Sequence, residues 1–193
     1  MNHPELLILR HGETEWNRAG RMQGAADSPL TDRGRAHAAA QGRLLSARDL
    51  RGWLFWTSPL GRCRATADIA LGPHASDVCE DARLVEITLG SWTGKLRTEI
   101  AAEVPQLFDH DGGMDWYDHA PGGEGLEALY ARTGTFLADL SGPSVIVTHG
   151  ITSRMLRCHC LGLEPAAFAD LPGGQGVVYH MKNGVQTQLA EGA

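Results

Sequence analysis

The chain has 193 residues, of which 42% are hydrophobic, and this is enough apolar material to fill one core without a metal or disulfides. Its formal net charge is −6, and it lacks the blocks of lysine and arginine that nucleic-acid-binding proteins carry. No apolar run approaches the roughly 20 residues that span a bilayer. We therefore predict a single domain over residues 1–193, with neither nucleic acid nor membrane as a partner.

The cysteines and the opening residues predict a cytoplasmic protein. The four cysteines are spaced neither as paired metal ligands nor as the framework of a disulfide-rich domain, which predicts free thiols. The first residues have no basic region and only a short apolar segment, unlike a secretion signal.

Because the acidic net charge repels phosphorylated ligands at long range, an anion site in this chain needs a local group of arginines. Oligomeric state stays open.

In the first third of the chain, apolar runs alternate with helical patterns. The run at 5–9 is apolar on both faces, as a strand buried in a parallel sheet is. A helix is predicted over 31–44, capped by its first threonine, and a second buried strand over 53–56. Ser58 and Pro59 then supply the N-cap and first-turn proline of another helix.

The same alternation continues to the end of the chain. A glycine-rich turn at 122–125 precedes an apolar helical pattern, and a third buried strand is predicted over 144–148. A helix over 151–161 ends at Gly162, and 176–189 is predicted to form two strands joined by an Asn-Gly turn. Alternating strands and helices predict an α/β fold, a three-layer αβα sandwich with a mainly parallel central sheet.

Histidines and arginines stand where the predicted strands end. Arg10 and His11 follow the first strand, Arg62 lies just after the second, and His149 follows the third. Ligands of such sheets bind at the carboxyl ends of the strands, so these side chains are expected to converge. Guanidinium groups suit phosphoryl oxygens, and one imidazole is then free to act as a nucleophile. The pattern favours phosphoryl chemistry.

Six motifs occur in a fixed order between Leu9 and Ile151: LRHGETEWN, RMQGAADSPLTDRG, SPLGRCRATA, LVEITLGSWTG, PGGEG and VTHGI. In this order they resemble the histidine phosphatase superfamily, also called the phosphoglycerate mutase-like family. The resemblance implies a phosphatase that hydrolyses a phosphomonoester through a phosphohistidine intermediate, with no metal and no cofactor. It also implies a small phosphorylated metabolite as substrate, whose identity the sequence leaves open.

Position by position, the resemblance implies a role for eight residues. The five catalytic positions are His11 as the phosphorylated nucleophile, Glu86 as the proton donor, and Arg10, Arg62 and His149 as the groups that hold the phosphoryl oxygens. Asn17 matches an asparagine that contacts the phosphate, and Gln23 and Gly24 match a loop that lines the pocket. The chemistry agrees, because positive charge and positioning provide most of the catalysis of phosphoryl transfer.

Two alternative functions are considered. A phosphoglycerate mutase-type transfer needs cations for a second anionic group of the substrate, and the segment from Trp92 to Pro121 offers only Lys95 and Arg97. Hydrolysis is therefore favoured. The other alternative is a non-catalytic protein that binds a phosphorylated ligand. The presence of the nucleophile, the acid and the arginines argues against it.

An acidic stretch between the fourth and fifth motifs has the residue types of a metal site. Its members are Asp109, His110, Asp111, Asp115, Asp118 and His119. Their spacing does not indicate a closed coordination geometry, so we interpret 109–125 as a solvated loop or a lid over the substrate. Trp116 and Tyr117 either shape the pocket or pack beneath this loop.

Four further positions have open interpretations. Glu13 either orients the site or forms a surface salt bridge, and Arg154 either contacts substrate or pairs with an acidic neighbour. Gln175 is a weak candidate for a substrate contact. Gly125 replaces the serine usual in the fifth motif, which removes a hydroxyl that often caps the following helix.

Overall fold

The computed structural model describes residues 3–108 and 114–192. Six strands form one sheet, in the spatial order β3-β2-β4-β1-β5-β6. The strands are β1 Leu6–Arg10, β2 Leu54–Thr57, β3 Val78–Glu80, β4 Ser144–Thr148, β5 Val178–Lys182 and β6 Val185–Leu189. The first four are parallel to one another, whereas β5 and β6 are antiparallel to their neighbours. The prediction of a mainly parallel sheet is confirmed.

Helices connect the strands. The α-helices are α1 Glu15–Arg18, α2 Asp32–Ser46, α3 Gly61–Leu71, α4 Arg97–Glu103, α5 Gly125–Ala138 and α6 Gly150–Leu161. Short 3₁₀ helices lie at Gly72–Asp77, Ala82–Leu84, Gly90–Trp92, Pro105–Leu107, Asp115–His119 and Pro165–Asp170. Within the described ranges, no helix is long and apolar enough to cross a membrane.

The sheet carries helices on both faces, because the side chains of β1 alternate between two apolar clusters. Leu7 and Leu9 pack in the cluster that contains Leu45 of α2 and Ala67 of α3. Leu6 and Ile8 pack in the cluster that contains Phe136 of α5 and Leu156 of α6. These four apolar side chains of β1 are fully buried. The predicted αβα sandwich is confirmed.

The strand register brings three strand ends together. Arg10 is paired with Thr148, so the residues that follow β1 and β4 lie side by side. The backbone N–H of His11 donates to the Thr148 carbonyl at 2.9 Å. On the other side of β4, the N–H of Ser58 donates to the Val147 carbonyl at 3.0 Å. His11, His149 and the loop before α3 therefore share one edge of the sheet.

Several predicted helix and turn signals are present. The Thr31 hydroxyl accepts from the N–H of Gly34 at 3.0 Å, as an N-cap does, although α2 extends to Ser46. Gly162 ends α6 in the left-handed conformation, with φ at 67°. Asn183 also has positive φ in the turn between β5 and β6.

The predicted start of α3 is wrong. This helix begins at Gly61, and its N-cap Leu60 makes no side-chain cap. Ser58 and Pro59 therefore precede the helix, and the Ser58 hydroxyl lies 2.8 Å from the imidazole of His149 instead. The strand β3 and the short helices α1 and α4 were not predicted, because each is too short to show a clear period.

Candidate active site

His11 directly follows β1 and is 3% exposed. Its Nδ1 lies 2.7 Å from the Gly12 carbonyl and donates a hydrogen bond to it, which leaves the lone pair on Nε2. Burial and the nearby Arg10 and Arg62 hold the pKa of His11 well below 6.5. Gly12 is required by packing, since a Cβ there would lie 2.1 Å from the Gly34 carbonyl oxygen. The imidazole is therefore neutral and fixed in one tautomer.

Arg62, on the first turn of α3, connects the two histidines. Its Nε–H lies 3.2 Å from Nε2 of His11 and 3.2 Å from Nδ1 of His149, and it donates to both. One terminal amino group donates to the Gly24 carbonyl at 2.7 Å, and the other to Asp27 at 3.1 Å. The side chain is buried, so its orientation is set by these partners.

His149 follows β4 and is completely buried. Since its Nδ1 accepts from Arg62, its Nε2 carries the hydrogen and donates to the Ser58 hydroxyl at 2.8 Å. Burial, Arg62 and His11 hold the pKa of His149 well below 6.5. The Cys63 sulfur lies 3.4 Å from the same Nε2. The second histidine is thus also neutral, and it is held by α3 and the loop before it.

Arg10, the last residue of β1, lies against the N-terminus of α6. A Cβ at Gly150 would lie 3.3 Å from the Cζ atom of Arg10, so the glycine allows this close approach. Burial is the main cause that lowers the pKa of Arg10. With Arg62, this side chain supplies two fixed guanidinium groups beside His11.

Glu86 lies at the N-terminus of α6 as well. Its carboxylate accepts from the N–H of Ile151 at 3.1 Å, from the N–H of Thr152 at 3.0 Å, and from the Thr152 hydroxyl at 3.0 Å. Such bonds satisfy donors that the first turn of a helix otherwise leaves free. The carboxylate is therefore oriented by the first turn of α6, which is distant from Glu86 in sequence.

These side chains surround a cleft of about 280 Å³. Its lining residues are Arg10, His11, Asn17, Gly20, Arg21, Met22, Gln23, Gly24, Arg62, Glu86, Ile87, Leu89, Arg97 and Tyr117. The structure thus brings together seven of the eight residues that the resemblance singled out. His149 does not line the cleft and lies behind Arg62, within hydrogen-bond distance of it.

Partners can be named for the three candidates outside the catalytic set, which are Asn17, Gln23 and Gly24. The side-chain oxygen of Asn17 accepts from Gln175 at 3.2 Å, and Gln175 also donates to the backbone carbonyl of His11 at 3.2 Å. Gln23 accepts from the Ser28 hydroxyl at 3.2 Å, and the carbonyl of Gly24 accepts from Arg62. Gln175 therefore supports the backbone at His11 and does not line the cleft described above.

Sequence reasoning missed Arg21 in the cleft wall and did not place Arg97 there. Arg97 begins α4, and its guanidinium lies 5.6 Å from the Phe108 ring centre. Lys95, the other cation noted in this segment, pairs with Glu103 at 2.7 Å. Tyr117 also lines the cleft, whereas Trp116 is buried in the core. A spacing pattern cannot show which exposed cations face a cleft formed by another loop.

The residues of the acidic stretch from Asp109 to His119 do not form one site in the part of the chain that the structure describes. Residues 109–113, which include Asp109, His110 and Asp111, lie outside the described residues. Asp118 accepts from the N–H of Leu126 at 2.7 Å and thereby replaces the cap that Gly125 cannot supply. The side chain of Asp115 also lies outside the described part of the structure. Among the side chains that the structure does describe, no group of three from His, Cys, Asp or Glu is arranged to hold a metal.

Two open interpretations are resolved among the described residues. Glu13 accepts from the Thr31 hydroxyl at 2.9 Å and pairs with Arg33 at 3.6 Å, so its contacts are structural. Arg154 donates to the Leu171 carbonyl at 3.1 Å and lies 3.0 Å from the Met114 sulfur. Neither side chain lines the cleft. For Arg154 both interpretations were wrong, since its partners among the described residues are neutral.

We expect the stability of the fold to decrease as pH falls below 6.5, the ordinary pKa of histidine. In that range His11 and His149 bind protons in the unfolded chain but stay unprotonated in the folded state. The free energy of unfolding therefore falls by up to about 1.4 kcal/mol for each pH unit and each of these histidines. Urea unfolding between about pH 7.5 and about pH 5 measures this. His11→Asn removes one of the two groups and should lose less stability than wild type. An equal loss in both proteins would contradict the assignment.

Comparisons with known proteins agree with this geometry. The family model described as histidine phosphatase superfamily (branch 1) matches residues 6–187. Phosphoserine phosphatase 1 of Hydrogenobacter thermophilus is 32% identical over 175 residues, which cover 85% of this chain and 79% of that protein. Glucosyl-3-phosphoglycerate phosphatase of Mycolicibacterium vanbaalenii is 35% identical over 186 residues, which cover 89% of this chain and 80% of that protein. The structure of a putative alpha-ribazole-5'-P phosphatase from Escherichia coli superposes with a TM-score of 0.79 at 26% identity. The superposition covers 98% of this chain and 96% of that chain.

Proposed function

The chain belongs to the histidine phosphatase superfamily, branch 1, and we propose that it hydrolyses a small phosphorylated metabolite with His11 as the phosphorylated nucleophile. Phosphomonoester hydrolysis is the activity of the phosphatases that it matches. One observation carries the assignment of the nucleophile. The hydrogen bond from Nδ1 of His11 to the Gly12 carbonyl leaves the lone pair on Nε2, beside Arg62 in the cleft.

In the first step, the substrate phosphoryl group binds between Arg10 and Arg62. One phosphoryl oxygen takes over the Nε–H of Arg62, which frees the lone pair of Nε2 of His11 for attack. A P–N bond forms as the P–O bond to the leaving group breaks. Glu86 gives a proton to the departing oxygen, so that the first product leaves as an alcohol.

In the second step, water hydrolyses the phosphohistidine. The Glu86 carboxylate takes a proton from the attacking water, a P–O bond forms, and the P–N bond breaks. Phosphate leaves, and His11 returns to its neutral form. Arg10 and Arg62 hold the equatorial oxygens in both steps, where the charge of the transition state lies. His149 accepts a hydrogen bond from Nε of Arg62 and thereby holds this guanidinium in place from the buried side.

The chain is a phosphatase of a kind that does not need a metal, and this is testable directly. We expect turnover of p-nitrophenyl phosphate to be unchanged after exhaustive treatment with EDTA, because the arginines supply the positive charge. Phosphate release before and after chelation is the measurement. Loss of activity that one divalent cation restores would contradict the proposal. Absence of any turnover would instead support the non-catalytic alternative.

The cleft suggests which metabolites to test. Beyond the phosphoryl site, Arg21 and Arg97 lie in its wall and offer positive charge to a second anionic group. Two matched proteins are named for phosphoserine and glucosyl-3-phosphoglycerate, substrates that carry a carboxylate besides the phosphate. We therefore include in the proposal a preference for small carboxylated phosphomonoesters. Arg21 and Arg97 weaken the argument that a mutase would lack cations for a second anionic group, and hydrolysis stays favoured because the matched proteins named above are phosphatases.

We expect Arg97→Gln to lower kcat/KM for 3-phosphoglycerate by about tenfold, the effect of losing roughly 1.4 kcal/mol of binding. The value for glycerol 3-phosphate, which has a hydroxymethyl group in place of the carboxylate, should stay nearly constant. Lys95→Gln is a matched control, because Lys95 lies just before α4, close to Arg97 in sequence, but pairs with Glu103 and does not line the cleft. Equal losses for both substrates would argue against a carboxylate contact.

A cytoplasmic location also stays part of the proposal. The four cysteines are free in the structure, and two of them, Cys63 and Cys158, are buried. Free thiols are the ordinary state in a reducing compartment.

A further inference from the structure

A second, much smaller cavity lies beside Arg10. Its volume is about 20 Å³, enough for one particle of the size of a water molecule. Six of the residues that line it are Arg10, Gly150, Ser153, Arg154, Arg157 and Tyr179. Arg10 is the one residue that this cavity shares with the described lining of the catalytic cleft. Whatever occupies the cavity therefore contacts a residue of the phosphoryl site.

Two hydrogen-bonding groups of this cavity have no partner. Nε of Arg10 and the hydroxyl of Ser153 are both buried, and neither has a hydrogen-bond partner in the structure. Ser153 is 2% exposed. Buried polar groups without partners are rare because each costs the free energy of its lost hydration. Both groups can donate a hydrogen, so their missing partner is an acceptor.

The arginines around the cavity also lack a carboxylate in direct contact, although the charge of Glu86 acts on Arg10 from the cleft side. Arg157 is 1% exposed, and its guanidinium donates to the oxygens of Ser153, Pro172 and Gln186 at 3.2, 2.9 and 3.0 Å. All three acceptors are neutral, and Cζ of Arg157 also lies 3.9 Å from the centre of the Tyr179 ring, a cation–π contact that brings no negative charge. Burial lowers the pKa of Arg157 to about 10. Among the side chains that the structure describes, no carboxylate forms a salt bridge with Arg10, Arg154 or Arg157, although buried charges are normally paired.

From these observations we propose that the cavity is a binding site for one monatomic anion of the size of chloride. Such an anion accepts hydrogen bonds from Nε of Arg10 and from the Ser153 hydroxyl, and it compensates the charge of Arg157. Water has a suitable size and satisfies the two donors, but it brings no charge. Phosphate and sulfate carry four oxygens around a central atom and exceed the volume of the cavity.

The anion has a consequence for the phosphoryl site. It holds the Nε edge of the Arg10 guanidinium, which leaves the two terminal amino groups for phosphoryl oxygens. Gly150 allows this arrangement, since a Cβ at that position would lie 3.4 Å from Nε of Arg10. The chloride site would thus be a support for Arg10 that is independent of the substrate.

A crystal of the wild-type protein grown with bromide in place of chloride tests the site. We expect an anomalous-scattering peak in the cavity, within hydrogen-bond distance of Nε of Arg10 and the Ser153 hydroxyl. Density with no anomalous signal would identify water and overturn the proposal. This measurement needs no variant, so a failure of a variant to fold cannot obscure it.

Stability in solution gives the second test. We expect the Tm of wild type to be higher in sodium chloride than in sodium gluconate at equal ionic strength, because an anion that binds only the folded state stabilises it. Ser153→Ala should abolish this difference. Ser144→Ala is the matched control, since Ser144 is also buried but its hydroxyl donates to the Gly142 carbonyl. An equal chloride effect in wild type and Ser153→Ala would place the anion elsewhere and contradict the proposal.

Discussion

Replacing His11 with alanine is expected to abolish phosphatase activity, with a loss of at least about 10⁴-fold in kcat, the scale on which removal of a catalytic nucleophile acts. The reason is geometric. In the structure, Nε2 of His11 carries a lone pair beside Arg62 and the cleft, and His149 is turned so that its Nε2 donates to Ser58. No second imidazole is therefore placed to replace the nucleophile among the residues that line the cleft.

A trapping experiment identifies the phosphorylated atom. Wild-type protein mixed with substrate and quenched in alkaline denaturant should carry one phosphoryl group on His11, because phosphohistidine is labile in acid. Peptide mass spectrometry under neutral conditions locates it. His11→Asn provides a variant of more similar size, and His74→Ala controls for loss of a histidine that stacks on Phe55 away from the cleft. Substantial turnover by a folded His11→Ala protein would refute the nucleophile.

Glu86→Gln is expected to slow phosphorylation of His11 by about 10²-fold to 10⁴-fold for an alkyl phosphate, the usual contribution of a positioned acid. An alkoxide is a poor leaving group and needs the proton. An aryl phosphate with an acidic phenol, such as p-nitrophenyl phosphate, should lose much less in the same step. The difference between the two substrates isolates proton donation from other effects of the change.

The comparison between substrates matters because Glu86 also has structural contacts. Its carboxylate accepts hydrogen bonds from Ile151 and Thr152, and the amide of glutamine places donors where the structure needs acceptors. A loss of stability is therefore expected, and it affects both substrates equally. Single-turnover phosphorylation is the required measurement, since Glu86 also acts in the later attack of water. Equal losses for both substrates would make Glu86 a structural or electrostatic residue.

Much of the fold follows from local patterns. The buried strands β1, β2 and β4 are predicted because each is an apolar run between turn residues, and α2 and α6 because their first or last residues carry capping signals. The start of α3 was predicted wrongly, since a serine followed by proline has the same local signature whether it caps a helix or precedes it. Here the Ser58 hydroxyl contacts His149, which is distant in sequence. The single domain over 1–193 and the catalytic roles stay predictions.

By itself the sequence determined the family, the sandwich and the strand ends at which His11 and His149 stand, because strand periodicity and short motifs are local properties of the chain. Only the tertiary structure decided how these groups face one another. The tautomers of the two histidines depend on Gly12 and on Arg62, and the orientation of Glu86 depends on the start of α6. Arg97 in the cleft and the unpartnered donors beside Arg10 likewise result from contacts between distant segments, whose distances no spacing along the chain encodes.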